Sequence, residues 1–150
     1  MINLKRTDSD DPFFIELVKL LDAELAVVDG EDHGFYSQFN RIDKIRNVVI
    51  ALDAGKPVGC GAIKEYKAGV MEVKRMYVSP SGRKKGIATI ILQELEKWAF
   101  ELSCDKCILE TGKRQPEAIG LYKKSGYKVI PNYDQYIGVD NSVCFEKWLK

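Results

Sequence analysis

Apolar positions along this chain switch between a two-residue and a three-to-four-residue rhythm, and the switches mark the elements. Ile2 and Leu4 alternate with polar neighbours over Met1–Arg6, the pattern of an opening strand. Ser9-Asp10-Asp11-Pro12 supplies the polar caps, early acids and first-turn proline of a helix start. Phe14, Leu17, Val18, Leu21 and Leu25 hold helical spacing behind it, until Asp29-Gly30-Glu31-Asp32-His33-Gly34 breaks the helix. Phe35–Ile45 reads as a second, shorter helix. Strands follow at Asn47–Asp53, Val58–Tyr66 and Val70–Val78, and the short turns between them predict an antiparallel meander. The third strand does not alternate cleanly. Glu72 and Lys74 fall on the side of Val70, Met76 and Val78, which a bulge that shifts register partway would explain.

Ser79-Pro80-Ser81-Gly82 is turn chemistry. Beyond it Ile87, Ile90, Ile91, Leu95, Trp98, Ala99 and Leu102 trace one face of a long helix. Lys106–Glu110 is the next strand, and a strand–helix–strand unit implies a parallel pair with a right-handed crossover. Thr111–Gln115 is a loop, Pro116 opens a short helix with Ala118, Leu121 and Tyr122 on one face, and Gly126 ends it. Strands at Tyr127–Ile130 and Ser142–Trp148 flank an aromatic loop, Pro131–Asn141. The expected fold class is α+β in three layers (α/β/α). A mixed, mostly antiparallel sheet of roughly six to seven strands, with one central parallel pair and about four helices, would form a single domain over residues 1–150.

Composition narrows the function classes. A hydrophobic content of 45% and a charged content of 30% are globular values, and a net charge of +1 gives no general attraction to nucleic acid. No apolar run approaches the roughly 20 residues of a membrane span, and the first residues lack a signal-peptide core, so a cytoplasmic protein is expected. Cys104-x-x-Cys107 has no second closely spaced pair, and His33 is the only histidine, so no metal site is expected and the cysteines read as reduced and buried.

The charges ahead of the long helix are of the wrong sign. Free amides and the helix dipole favour acids there, yet the chain places Arg83, Lys84 and Lys85 before Gly86. A bound phosphate or pyrophosphate would make amides, dipole and cations act together, and Gly86 would let it approach the backbone. A P-loop is excluded because Ile87-Ala88 follows the glycine, and a Rossmann unit is excluded by the preceding meander.

Glu72-Val-Lys-Arg-Met-Tyr-Val-Ser-Pro80, then Arg83-x-x-Gly86-x-Ala88, resembles the acyl-CoA motif of the GNAT superfamily of N-acetyltransferases. Ala118 to Tyr127, with its Leu-Tyr-x-x-x-Gly-aromatic ending, is similar to the later helix of that family. The resemblance implies acetyl-CoA as co-substrate and the parallel pair splayed around it. Met76, Tyr77 and Val78 would meet the pantetheine arm, Arg83, Lys84, Lys85, Gly86, Ile87, Ala88 and Thr89 the pyrophosphate, and Gln115 and Lys124 would add contacts. Many relatives carry asparagine where this chain has Gln115. Tyr122 would be the general acid for the thiolate, and Glu72 the base, with Glu110 the second choice. No nucleophilic constellation supports an acyl-enzyme, so direct transfer to a small-molecule primary amine in a ternary complex is expected. Alternatives are a non-catalytic acyl-CoA-binding regulatory module or a protein or peptide N-acetyltransferase. The acceptor pocket is assigned to His33, Tyr36, Glu110, Tyr133 and Tyr136. Arg41 or Arg114 facing it would instead favour a carboxylate-bearing acceptor. No nucleic-acid, membrane or metal partner is expected, and a homodimer is allowed.

Overall fold

The computed structural model describes residues 1–37 and 44–149. Asp11 caps the first helix, α1 (Pro12–Asp29), by accepting a hydrogen bond from the Phe13 amide at 2.9 Å. After it comes α2 (His33–Ser37), which starts two residues before the expected Phe35–Ile45 helix. Residues 38–43 of that expectation, with Arg41, lie outside the described residues.

The strands are β1 (Ile2–Thr7), β2 (Asn47–Asp53), β3 (Lys56–Lys67), β4 (Val70–Val78), β5 (Lys106–Gly112), β6 (Lys128–Ile130) and β7 (Ser142–Trp148). They form one sheet in the order β1-β2-β3-β4-β5-β7-β6, antiparallel everywhere except between β4 and β5. The crossover linking that pair is α3 (Ile87–Glu101), and α4 (Pro116–Lys124) follows β5. This is the expected mixed sheet between helical layers.

Val48–Ala51 is apolar without a break because β2 is covered on both faces. Val49 and Ala51 pack with α3 through Ile91, Leu92 and Leu95, while Val48 and Ile50 pack with α1 through Phe14, Leu17 and Val18. Glu94 of α3 is paired with Arg6 of the edge strand β1, whose Nε lies 2.7 Å from it.

The untidy pattern in β4 is a bulge. Its pairing with β3 runs Cys60↔Tyr77 and then jumps to Ala62↔Lys74, and Arg75 adopts φ 60°. The extra residue puts Met71 and Val73, and then Met76 and Val78, on the α3 face. Room for this comes from Gly61, where a Cβ would lie 2.5 Å from the Met76 sulfur and 2.9 Å from Leu95 Cδ1. Gly61→Ala should therefore lower the unfolding free energy by about 1–3 kcal/mol through overpacking. Urea denaturation reads this directly, and an unchanged midpoint would mean that the packing around Met76 is loose.

Candidate functional site

The site begins where two strands part. β4 and β5 pair only through Val70–Glu72 against Lys106–Ile108. Beyond that point β4 continues along β3 and β5 continues along β7, so the facing edges of Val73–Val78 and Leu109–Gly112 have no strand partner. A cleft of about 1160 Å³ opens between them.

One end of the cleft is an anion cradle. Among the described residues, the backbone amides from Lys84 to Thr89 have no backbone hydrogen-bond acceptor, and α3 has no side-chain cap at Gly86. Lys84 and Gly86 both adopt left-handed backbone, at φ 64° and 76°. Such turns aim successive amides into one concavity. Lys84, Gly86, Ile87, Ala88 and Thr89 line the cleft, as do Met76, Tyr77 and Val78 on the β4 edge. The Arg83 side chain is already engaged. Its Nε donates to the Val78 carbonyl at 2.9 Å, its Nη2 lies 2.6 Å from Glu24 of α1, and its guanidinium stands over the Tyr77 ring. Lys85 and Lys124, both assigned to the cofactor, are exposed and stand outside the cleft wall. Gln115 is part of the wall, at the entrance to α4.

At the centre of the cleft are Tyr122 and Glu110. Tyr122 is 6% exposed and is wedged between Tyr127 and Phe145, with ring centroids at 5.7 and 5.9 Å. Among the described residues its hydroxyl has no hydrogen-bond partner. Burial, and secondarily the charge of Glu110, push the phenol well above its usual range, so it keeps its proton at any physiological pH. Glu110 is raised to about 7, first by burial and then by the charges of Asp29 and Glu72. Its Oε2 is buried without a hydrogen-bond partner.

Glu72, the first choice as base, lines the same cleft but is held. The Tyr133 hydroxyl donates to it at 2.6 Å and Lys74 Nζ lies 3.8 Å away. Tyr133 stands behind the wall, edge-on to Tyr66 and Tyr136, and acts on the cleft through Glu72. Tyr136 and Tyr36 line the cleft itself. Tyr36 is fixed by Ser142 Oγ at 3.0 Å and by Asn141 Nδ2 at 3.2 Å. His33 opens α2 in backbone, and its side chain lies outside what is described. Arg114 reaches the cleft with its charge paired to Asp32 at 3.1 Å while donating to the Asp29 carbonyl.

Some participants escaped the sequence reading. Glu24 was one, although a carboxylate between Leu21 and Leu25 on the inner face of a helix is itself a signal. Lys74 signalled the bulge but not its place beside Glu72, and Asn141 carried no signal. Among the described residues, no group of three or more His, Cys, Asp or Glu is placed to hold a metal, and no helix is long and apolar enough to cross a membrane. Burial pushes the Cys60 and Cys107 thiols up to about 12, which leaves them inert.

Comparison with known proteins places this geometry. The family described as "Acetyltransferase (GNAT) family" matches residues 14–127. An IAA acetyltransferase of Azospirillum brasilense is 39% identical over 80 residues, covering 53% of this chain and 52% of that protein. The uncharacterized N-acetyltransferase YsnE of Bacillus subtilis is 31% identical over 114 residues, covering 72% of this chain and 76% of that protein. The chain spans about half the length of the Azospirillum relative, and 63% of a second Bacillus subtilis relative, YjcF. A Klebsiella pneumoniae structure assigned to the acyl-CoA N-acyltransferases superposes with a TM-score of 0.84 at 29% identity, covering 100% of this chain and 99% of that one.

The state of Glu110 has a consequence for stability. A buried acid whose pKa is raised from its ordinary value to about 7 holds its proton more firmly folded than unfolded. Its contribution is full at low pH and is lost as pH rises through about 7, by up to about 3 kcal/mol. Glu110→Gln should flatten the fall in unfolding free energy between pH 5 and pH 8. Identical pH dependence in variant and wild type would show that Glu110 is solvated.

Proposed function

The chain belongs to the acetyltransferase (GNAT) family, and from that premise we propose that it is an N-acetyltransferase that uses acetyl-CoA to acetylate a primary amine by direct transfer. The carrying observation is the placement of Tyr122 and Glu110 together where β4 and β5 part. Whole-protein activity is inferred from this arrangement and from the family.

The residues present fit a ligand with a pyrophosphate and an extended arm. Unbonded amides from Lys84 to Thr89 at the dipole end of α3 would hold the pyrophosphate, with Lys84 adding charge. The unpaired edge of Met76–Val78 would accept the arm as a strand accepts a neighbour. Gln115 would add an amide contact from the opposite wall. Bound there, acetyl-CoA supplies an activated acetyl thioester.

Everything else is work for this chain. Glu110, part ionised near neutrality, takes the proton that an acceptor ammonium must lose before its nitrogen can form the new N–C bond. A β4 amide at Met76 or Val78 donates to the carbonyl oxygen, where charge develops. As the C–S bond breaks, the Tyr122 hydroxyl gives its proton to the sulfur, and the phenolate regains one from the proton that the new amide nitrogen sheds; burial ensures that the first proton is there to give. Glu72, bonded to Tyr133 and beside Lys74, acts as a fixed charge that shapes the acceptor end.

Tyr122→Phe should lower kcat about 10²- to 10⁴-fold with acetyl-CoA affinity intact. Wild type should gain rate as pH rises through about 7, and Glu110→Gln should lower kcat and remove that rise. Thiol release with stopped-flow detection measures both. Wild-type kcat in Tyr122→Phe, or the same pH limb in Glu110→Gln, would remove that residue from its role.

A further inference from the structure

The acceptor end of the cleft carries a charge pattern with a definite remainder. Among the described residues Lys74, Arg75 and Arg114 line it, and each has a carboxylate neighbour, that of Arg75 being Asp22 at 3.5 Å. Lys74 Nζ lies 3.8 Å from Glu72, and Arg114 Nη1 lies 3.1 Å from Asp32 while donating to the Asp29 carbonyl. The carboxylates there are Asp29, Glu72 and Glu110. Asp29 is 4% exposed at the end of α1, and Glu72 is bonded to Tyr133. Among the described residues Glu110 keeps a buried oxygen with no hydrogen-bond partner, in the same cleft as the unpartnered hydroxyl of Tyr122. An unsatisfied buried carboxylate oxygen is costly, and a donor delivered by a ligand removes the cost.

We propose, building on the acetyltransferase reading, that the acceptor is a compact cationic primary amine that carries no carboxylate of its own. An ammonium entering beside Glu110 meets the open oxygen and the summed field of three carboxylates. A carboxylate on the same small molecule would enter that field with the wrong sign. It would also have to displace Glu72 from Lys74, or Asp32 from Arg114, to find a partner. The side walls suit a cation with an apolar body. Tyr36 is held by Ser142 and Asn141, and Tyr136 stands edge-on to Tyr133, so both rings are fixed where they line the cleft. Aromatic faces and edges of this kind favour an ammonium group over an anion. The upward shift of Glu110 caused by Asp29 and Glu72 reports the same negative field from within.

The test compares molecules that differ only in the carboxylate: tyramine with tyrosine, cadaverine with lysine, isoamylamine with leucine. Each is titrated calorimetrically into the full chain saturated with coenzyme A, so that binding is read without turnover. At least one amine should bind about tenfold or more tightly than its amino acid. Glu110→Gln should weaken that amine about tenfold while coenzyme A affinity holds. Arg114→Gln should leave the preference for the amine in place. Amino acids that bind as well as their amines in every pair, or no amine binding to the coenzyme A-loaded protein, overturns the proposal. Failure of coenzyme A itself to bind the folded protein overturns the acetyltransferase reading instead, so the two failures are separable. Loss of the preference in Arg114→Gln would mean that Arg114, rather than the carboxylates, sets selectivity.

Discussion

Everything in this molecule that bears on chemistry depends on two parallel strands that stay together for a few residues and then part. β4 and β5 pair from Val70 to Glu72 and no further. A sheet edge opened in its own middle would normally be a liability, because each strand then carries a row of unpaired amides and carbonyls. The bulge at Arg75 falls in the parted stretch, where β4 stays paired with β3, and the Arg75 side chain, 3% exposed, lies beside Asp22 of α1 at 3.5 Å. Cys60 Sγ donates to the Arg75 carbonyl at 3.3 Å. A non-glycine residue in left-handed backbone costs on the order of 1–3 kcal/mol and persists only where its surroundings over-determine it. These contacts, with the room left by Gly61, are those surroundings.

The parting also unites what lies far apart in the chain. The amide cradle at the start of α3, the free edge of β4, Tyr122 of α4 and Glu110 of β5 share one cleft because α3 is the crossover between the parted strands. The helix that must follow β4 brings its positive end to the mouth of the gap. The sheet faces that must be covered bring α1 and α4 to its sides. Division of labour follows from burial. Tyr122 is kept protonated by being dry, and Glu110 is kept near neutrality by being dry among like charges. Glu72, a few residues along β4, is tied to Tyr133 and Lys74.

Much of this was legible in the sequence, and what was not has a common cause. The bulge showed as Glu72 and Lys74 breaking the alternation of β4, and the cradle showed as three cations where acids belong. The crossover and the parallel pair followed from element order. All of these are local signals. What distinguishes Glu72 from Glu110 is not local. Glu72 is bonded to Tyr133, 61 residues away in sequence, and Glu110 is buried. Arg83 is similar. Its charge was visible, but not that Glu24, 59 residues earlier, would hold it. Lys85 and Lys124 are exposed and outside the cleft lining, which their local sequence did not show. Of the expected Phe35–Ile45 helix, residues 35–37 lie in α2, Lys44 and Ile45 are not helical, and residues 38–43 lie outside the described residues.

The central claim is that the gap between β4 and β5, with the amides after it, receives acetyl-CoA. Amide NMR of the folded protein during titration with acetyl-CoA tests it most directly. Saturable binding is predicted, with the largest shifts at the amides of Met76–Val78 and Gly86–Thr89. No binding, or shifts confined to residues outside this cleft, would contradict the account.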